Sequence, residues 1–116
     1  MKLNQIIEDL ALIPLTPQDK INNVDVESGY CSDLLSCVMA GAESGSVWIT
    51  LMAHGNIVAV AALLDLAAII ITEGAQPEND TITLAEEKGI TLLSTSKDNF
   101  HVVGKLWEMG LRAKQE

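Results

Sequence analysis

The sequence predicts an α/β fold, a mainly parallel sheet of about five strands with helices on both faces. Three observations carry that expectation. Strand-like and helix-like segments alternate from residue 24 onward, the pattern of successive βαβ units. Residues 67–71 end in three isoleucines, the composition of a strand buried on both faces. The 116 residues fit one compact domain, spanning 1–116. A chain of this size can bury roughly 65% of the surface that it exposes when unfolded.

The elements follow in order. Leu3, Ile6, Ile7 and Leu10 share one face of a short helix over residues 3–10. Residues 11–15 are apolar, and Pro14 restricts them to a short edge strand. Residues 16–23 form a polar loop. Residues 24–28 alternate apolar and polar as a strand, with Gly29 marking a turn at its end. Ser32 or Asp33 then caps a helix ending near Gly41, with Leu34, Leu35, Val38 and Met39 inward. Residues 46–51 read as a strand, 57–64 as a helix and 67–71 as a strand. After a loop over 72–80, Asn79 or Asp80 caps a helix to Lys88, and Gly89 stops it. Residues 90–93 form a strand. Asp98 caps a last helix whose apolar face holds Val102, Val103, Leu106 and Met109. Residues 112–116 are expected to fray.

Composition narrows the function. Hydrophobic residues make up 48% of the chain and aromatic ones only 3%, so the core is aliphatic. Trp48 on its strand and Trp107 on the last helix are expected to be packed, either of them at a subunit contact. Seven basic and 16 acidic residues give a net charge of −9. Between Ile21 and Glu87 there is no Lys or Arg. That excludes a nucleic-acid binder, which needs a basic face to displace counterions, and a central phosphate-binding lysine. Residues 57–71 are too short for the roughly 18–20 residues of a membrane span, and Asp65 interrupts them. No signal peptide opens the chain. Cys31 and Cys37 are spaced as neither a zinc knuckle nor a redox pair, which points to reduced thiols and a cytoplasmic protein. The helix over 57–64 is apolar nearly all round, so a second subunit is expected to cover part of it, as a homodimer.

In a parallel sheet, ligands bind outside the carboxyl ends of the strands. Four polar turns are expected there. They supply the candidate ligand-binding residues Ser28, Gly29, Ser32, Asp33, Thr50, His54, Asn56, Thr72, Gly74, Ser94 and Thr95. Helix N-termini beside them expose unpaired N–H groups that can hold an anion without Lys or Arg. The ordinary role of the same residues is to cap helices and close turns. His54, between a strand and a helix, can donate to a ligand or titrate near neutrality, or sit exposed in its turn. His101 is expected on a surface or interface. Neither histidine has a second ligand at metal spacing, so no metal or other cofactor is expected. As an enzyme, the chain would use His54 with Asp33 or Glu73; a carboxylate site of Asp33, Asp65 and Glu73 and a triad of Ser32, His54 and Asp33 are weaker arrangements, Asp65 being expected to end its helix or cap the following turn. No nucleophile elbow, Walker A motif or dinucleotide fingerprint exists.

The ordered motifs resemble the DRTGG domain family. They are Val26-Glu27-Ser28-Gly29-Tyr30, Ser32-Asp33-Leu34-Leu35, Trp48-Ile49-Thr50, His54-x-Asn56-Ile57-Val58-Ala59-Val60, the run from Ala67 to Gly74, Leu84-Ala85-Glu86-Glu87-Lys88-Gly89-Ile90, and Ser94-Thr95 followed by Phe100. The family's naming string is absent. Thr72-Glu73-Gly74 and Glu27-Ser28-Gly29 both look like Gly-Gly turns whose first glycine has been replaced. The resemblance implies a regulatory, non-catalytic module with a fold similar to the N-terminal domain of bacterial HPr kinase/phosphorylase. It implies no kinase activity, because the P-loop of that enzyme lies in another domain. Two uses are consistent with it. One is a homodimeric sensor for a small metabolite or nucleotide at the strand ends. The other is an adaptor for a hydrogenase-related or signalling protein.

Overall fold

The computed structural model describes residues 1–19 and 21–114. Its elements are α1 (Leu3–Asp9), β1 (Ile13–Pro14), a 3₁₀ turn (Ile21–Asn23), β2 (Ser28–Cys31), α2 (Leu35–Gly41), β3 (Ser46–Thr50), α3 (Asn56–Leu64), β4 (Ala68–Ile71), α4 (Asn79–Lys88), β5 (Leu92–Ser94) and α5 (Asn99–Glu108). The sheet has the order β1-β5-β4-β3-β2. Strands β2 to β5 are parallel, and β1 pairs antiparallel with β5, so the sheet is mixed. No helical crossover joins β1 to its neighbour, so nothing forces it parallel. Pro14 sits in this edge strand, where its missing N–H costs no ladder bond.

Side-chain alternation along the strands builds two cores. Val47, Ile49, Ala68, Ile70 and Leu93 face α1 and α5, meeting Leu3, Ile6, Val102 and Leu106. Trp48, Ile69, Ile71 and Leu92 face the other way, against Val38 of α2, Ile57, Val58 and Ala61 of α3, and Ala85 of α4. Both faces of β3 and β4 are buried throughout, which is why residues 67–71 read as a continuous apolar run. Asp65 ends α3 in the left-handed conformation, and Gly89 ends α4 the same way. Asp98 caps α5, its carboxylate accepting from the His101 N–H at 2.8 Å.

Several elements depart from the sequence reading. The strand expected at 24–28 is displaced to Ser28–Cys31, and Gly29 lies within it instead of in a turn. Val24 and Val26 alternate because they pair with the chain's start. Leu3 N–H donates to Val24 O at 2.9 Å, and Val26 N–H donates to Met1 O at 2.7 Å. Of the α2 residues expected inward, only Val38 is fully buried, while Leu34 and Met39 are exposed. That helix lies at the β2 edge, where less protein covers it. Its N-cap is Leu34, and no side chain caps it there. Asn79 and Asp80 lie inside α4 and cap nothing; Glu78 holds the N-cap position without a side-chain bond. Strand β5 lies at Leu92–Ser94, slightly later than expected. Trp48 is fully buried, but Trp107 is 60% exposed and Val103 is also on the surface. The tail is tied down as far as it is described. Leu111 is buried, Arg112 stacks over the Trp107 ring at 3.6 Å, and Lys114 pairs with Glu43 at 2.8 Å. Gln115 and Glu116, part of the segment expected to fray, lie outside the described residues. Among the described residues, no helix is long and apolar enough to cross a membrane.

Candidate functional site

The carboxyl ends of β2, β3, β4 and β5 converge on one polar network. Its centre is Asp33, two residues past β2. One Asp33 oxygen accepts from the Thr50 hydroxyl at 2.8 Å and from the Leu51 N–H at 2.8 Å. The other accepts from the Asn99 amide at 3.1 Å. Asn99 opens α5, and its amide oxygen in turn accepts a hydrogen bond from the Thr72 hydroxyl just past β4. Ser32 accepts the Leu34 N–H at 3.1 Å, and its carbonyl accepts the Trp48 indole N–H at 3.0 Å. Thr50 and Thr72 are fully buried. Their hydroxyls are therefore committed to holding strands and helix together.

The neighbouring crevice is also closed. Connections leave β4 toward one face of the sheet and β5 toward the other, which makes β4/β5 the switch point where α/β sheets open for ligands. Here the two loops are bonded across the gap. Glu73 N–H donates to Lys97 O at 2.8 Å, Gly74 N–H to Thr95 O at 3.0 Å, and Thr95 N–H to Ile71 O at 3.0 Å. Ala75 N–H returns to Thr72 O at 3.1 Å, with Glu73 at φ 62° and Gly74 at φ 69° between them. Positive φ at both central positions is the pattern of a type I′ turn, which favours glycine at each. Glu73 thus holds a conformation that glycine adopts without steric cost.

The sequence-predicted site residues therefore divide. Ser32, Asp33, Thr50, Thr72, Gly74 and Thr95 share the strand-end rim, and Ser94 is buried in β5 beside it. Ser28 and Gly29 do not belong there. They open β2 at the opposite end of the sheet, where the Ser28 and Ser46 hydroxyls meet at 2.7 Å. No left-handed turn exists at Glu27-Ser28-Gly29. His54 and Asn56 lie at the start of α3, outside the Asp33 network. His54 is exposed and lines an open cavity of about 480 Å³ with Gln76, Glu78, Asp80 and Thr81. No hydrogen bond joins His54 to Asp33 or Glu73, so that pairing is not assembled. A larger cavity of about 580 Å³ opens at the other end of the sheet, lined by Asp19, Asp25, Asp65 and Glu86 among others. Among the described residues, no group of three or more His, Cys, Asp or Glu is placed to hold a metal ion.

Sequence reasoning missed Asn99, which links Asp33 to Thr72. Its only signal was its place directly after the capping Asp98. Near the network, Cys31 ends β2 beside an apolar groove. Burial of its sulfur, and then the Asp33 charge, push its pKa above the ordinary cysteine value. This thiol is held protonated at neutral pH and is not an activated nucleophile.

Comparison with known proteins gives the family. No curated protein matches the chain. One solved structure is that of the CBS and DRTGG domains of the regulatory region of Clostridium perfringens pyrophosphatase, complexed with its activator, diadenosine tetraphosphate. The superposition has a TM-score of 0.74 at 19% identity, which establishes likeness of fold. It covers 89% of this chain but 44% of that one, so the chain spans less than half of the regulatory region it resembles. The DRTGG domain profile itself matches residues 34–109, well over half of the sequence. The chain belongs to the DRTGG domain family.

Proposed function

We propose that this chain is a single, non-catalytic regulatory domain that works as a homodimer, through contacts between folded surfaces. The closed strand-end rim carries this reading. The hydroxyls and N–H groups that would meet a ligand there are already bonded to Asp33, Asn99 and the opposite loop. Opening the rim for an anion would leave these groups unpaired, at a cost of about 1–3 kcal/mol for each buried one. Such a dimer offers the outer face of α3, with Ala59, Ala62 and Leu63, to a hydrogenase-related or signalling protein.

A second reading keeps a small ligand but moves it. The cavity beside His54 lies against the first turns of α3 and α4 and is large enough for a small metabolite. Glu78 and Asp80 line it with no lysine or arginine, so it suits a neutral or cationic group better than a phosphate. The experiment is a thermal-shift series on the purified chain with diadenosine tetraphosphate, ATP, AMP and acetyl phosphate, run beside sedimentation. A dimer whose Tm none of them moves is the expected result. Saturation at 100 times Kd would add about 2.7 kcal/mol and raise Tm visibly, and that would overturn the first reading.

A further inference from the structure

Helix α5 is amphipathic twice. Val102 and Leu106 enter the core. On the outside, Phe100, Val103, Gly104 and Trp107 recur at i, i+3, i+4 and i+7, which places them on one stripe. Phe100 is 89% exposed, the most exposed large apolar side chain of the described residues, and Trp107 is 60% exposed. Beside Trp107 lies an apolar groove of about 160 Å³, walled by Cys31, Ile49, Val103, Leu106, Trp107 and Leu111. Arg112 closes one side of it from its stacked position on Trp107. Gly104, between the two aromatic residues, meets nothing within 4 Å of where a Cβ would stand. A glycine inside an exposed helix is unfavourable, and no neighbour among the described residues accounts for it.

We infer that this stripe is the homodimer interface, formed by two α5 helices packed antiparallel about a two-fold axis near Gly104. The inference rests on the homodimer reading above and supplies its geometry. The occupant is a second copy because the chain carries both a projecting knob and an apolar hole, two turns apart, roughly 10 Å along one helix face. An antiparallel partner puts each Phe100 over the other's Trp107 groove, satisfying both at once, as an isologous contact requires. Gly104 lets the helices approach closely at the crossing point. Charge favours the same arrangement. Each copy carries −9, yet α5 brings only two carboxylates, Asp98 at its N-cap, which accepts the His101 N–H, and Glu108, which Lys105 pairs at 3.5 Å. The stripe exposes roughly 400 Å² of apolar surface per copy, within the range of functional patches on monomers. Doubled, it is about 800 Å², short of the roughly 1,000 Å² of a specific interface, so the rim of His101, Lys105 and Arg112 has to be buried with it and the dimer is of the weak, transient kind.

The test is sedimentation equilibrium of the full chain from about 1 to 200 µM, with Phe100→Ser, Phe100→Leu and Leu63→Ser variants. Circular dichroism of each variant establishes that it folds. The expected result is a dimer in the wild type, Phe100→Leu and Leu63→Ser, and a folded monomer in Phe100→Ser with Kd raised at least tenfold. A wild type that stays monomeric throughout overturns both this geometry and the homodimer reading. A dimer that survives Phe100→Ser overturns the geometry alone. A dimer lost in Leu63→Ser but kept in Phe100→Ser assigns the interface to α3 instead.

Discussion

Single residues close the strand-end rim, and each can be tested alone. Glu73 holds a left-handed backbone that costs a residue with a Cβ about 1–2 kcal/mol, while glycine adopts it freely. Glu73→Gly also removes one charge from an acidic chain. With glycine's greater freedom in the unfolded state subtracted, it is expected to raise stability by up to about 1 kcal/mol and to lift Tm by up to about 4 °C. Calorimetry showing a lower Tm would contradict the strain argument. Asp33 holds the opposite sign. Asp33→Ala unpairs Thr50, the Leu51 N–H and Asn99, with water able to replace part of the loss because the carboxylate is exposed, so urea titration is expected to show about 1–2 kcal/mol of destabilisation. The Cys31 thiol gives a pH signature. Its alkylation by iodoacetamide should rise with a midpoint above the ordinary cysteine value, because burial and then Asp33 disfavour the thiolate. Asp33→Asn removes the second cause and should move that midpoint down, leaving the burial contribution in place. An unchanged midpoint would show that Asp33 does not act on the thiol.

At the level of elements, the sequence announced what burial dictates and obscured what pairing decides. The isoleucines of β4 were legible because they are enclosed on both faces, and enclosure leaves an unmistakable composition; the apolar run of α3 is enclosed on one side only, at Ile57, Val58, Val60 and Ala61, while Ala59, Ala62 and Leu63 are exposed. Gly89 was legible as a helix end because the left-handed conformation restricts residue choice. The position of β2 was not. Val24 and Val26 carry the alternation of a strand, but they pair with residues 1–3 and not with the main sheet, a distinction that no local pattern records. The rim suffered the same limit. Hydroxyl residues at strand ends look alike whether they await a ligand or bond one another, and Asn99 reaches Asp33 across 66 positions. Nor did the C-terminal segment show its role. Leu111 packs on Gly29, whose added Cβ would stand 3.3 Å from the leucine, and the segment runs on to the Lys114–Glu43 pair. Leu111→Ala is therefore expected to destabilise the fold by about 2–3 kcal/mol, the low end for a buried leucine. Hydrogen exchange should then speed up first in β2 and α5. Uniform acceleration across β4 would show that the tail is not a local clamp.

For the whole molecule, the charge of −9 acts on every contact between copies. The radius of gyration is 12.5 Å. At about 10 mM salt the screening length is roughly 30 Å, so all the carboxylates of one copy repel those of another and one another. At about 150 mM it is roughly 8 Å, shorter than the molecule's own radius, and only close neighbours still interact. An interface of Phe100, Val103 and Trp107 gains nothing from Coulomb attraction that salt could remove. Raising salt over this range should therefore tighten the dimer several-fold and raise the Tm of the monomeric Phe100→Ser variant as well. The two effects separate causes. The variant reports relief of repulsion within one copy, and the wild type reports relief between two. A dimer that instead weakens with salt would have to be held by ion pairs, and Lys105, Arg112 and the acidic remainder of a second copy would then be the groups that hold it.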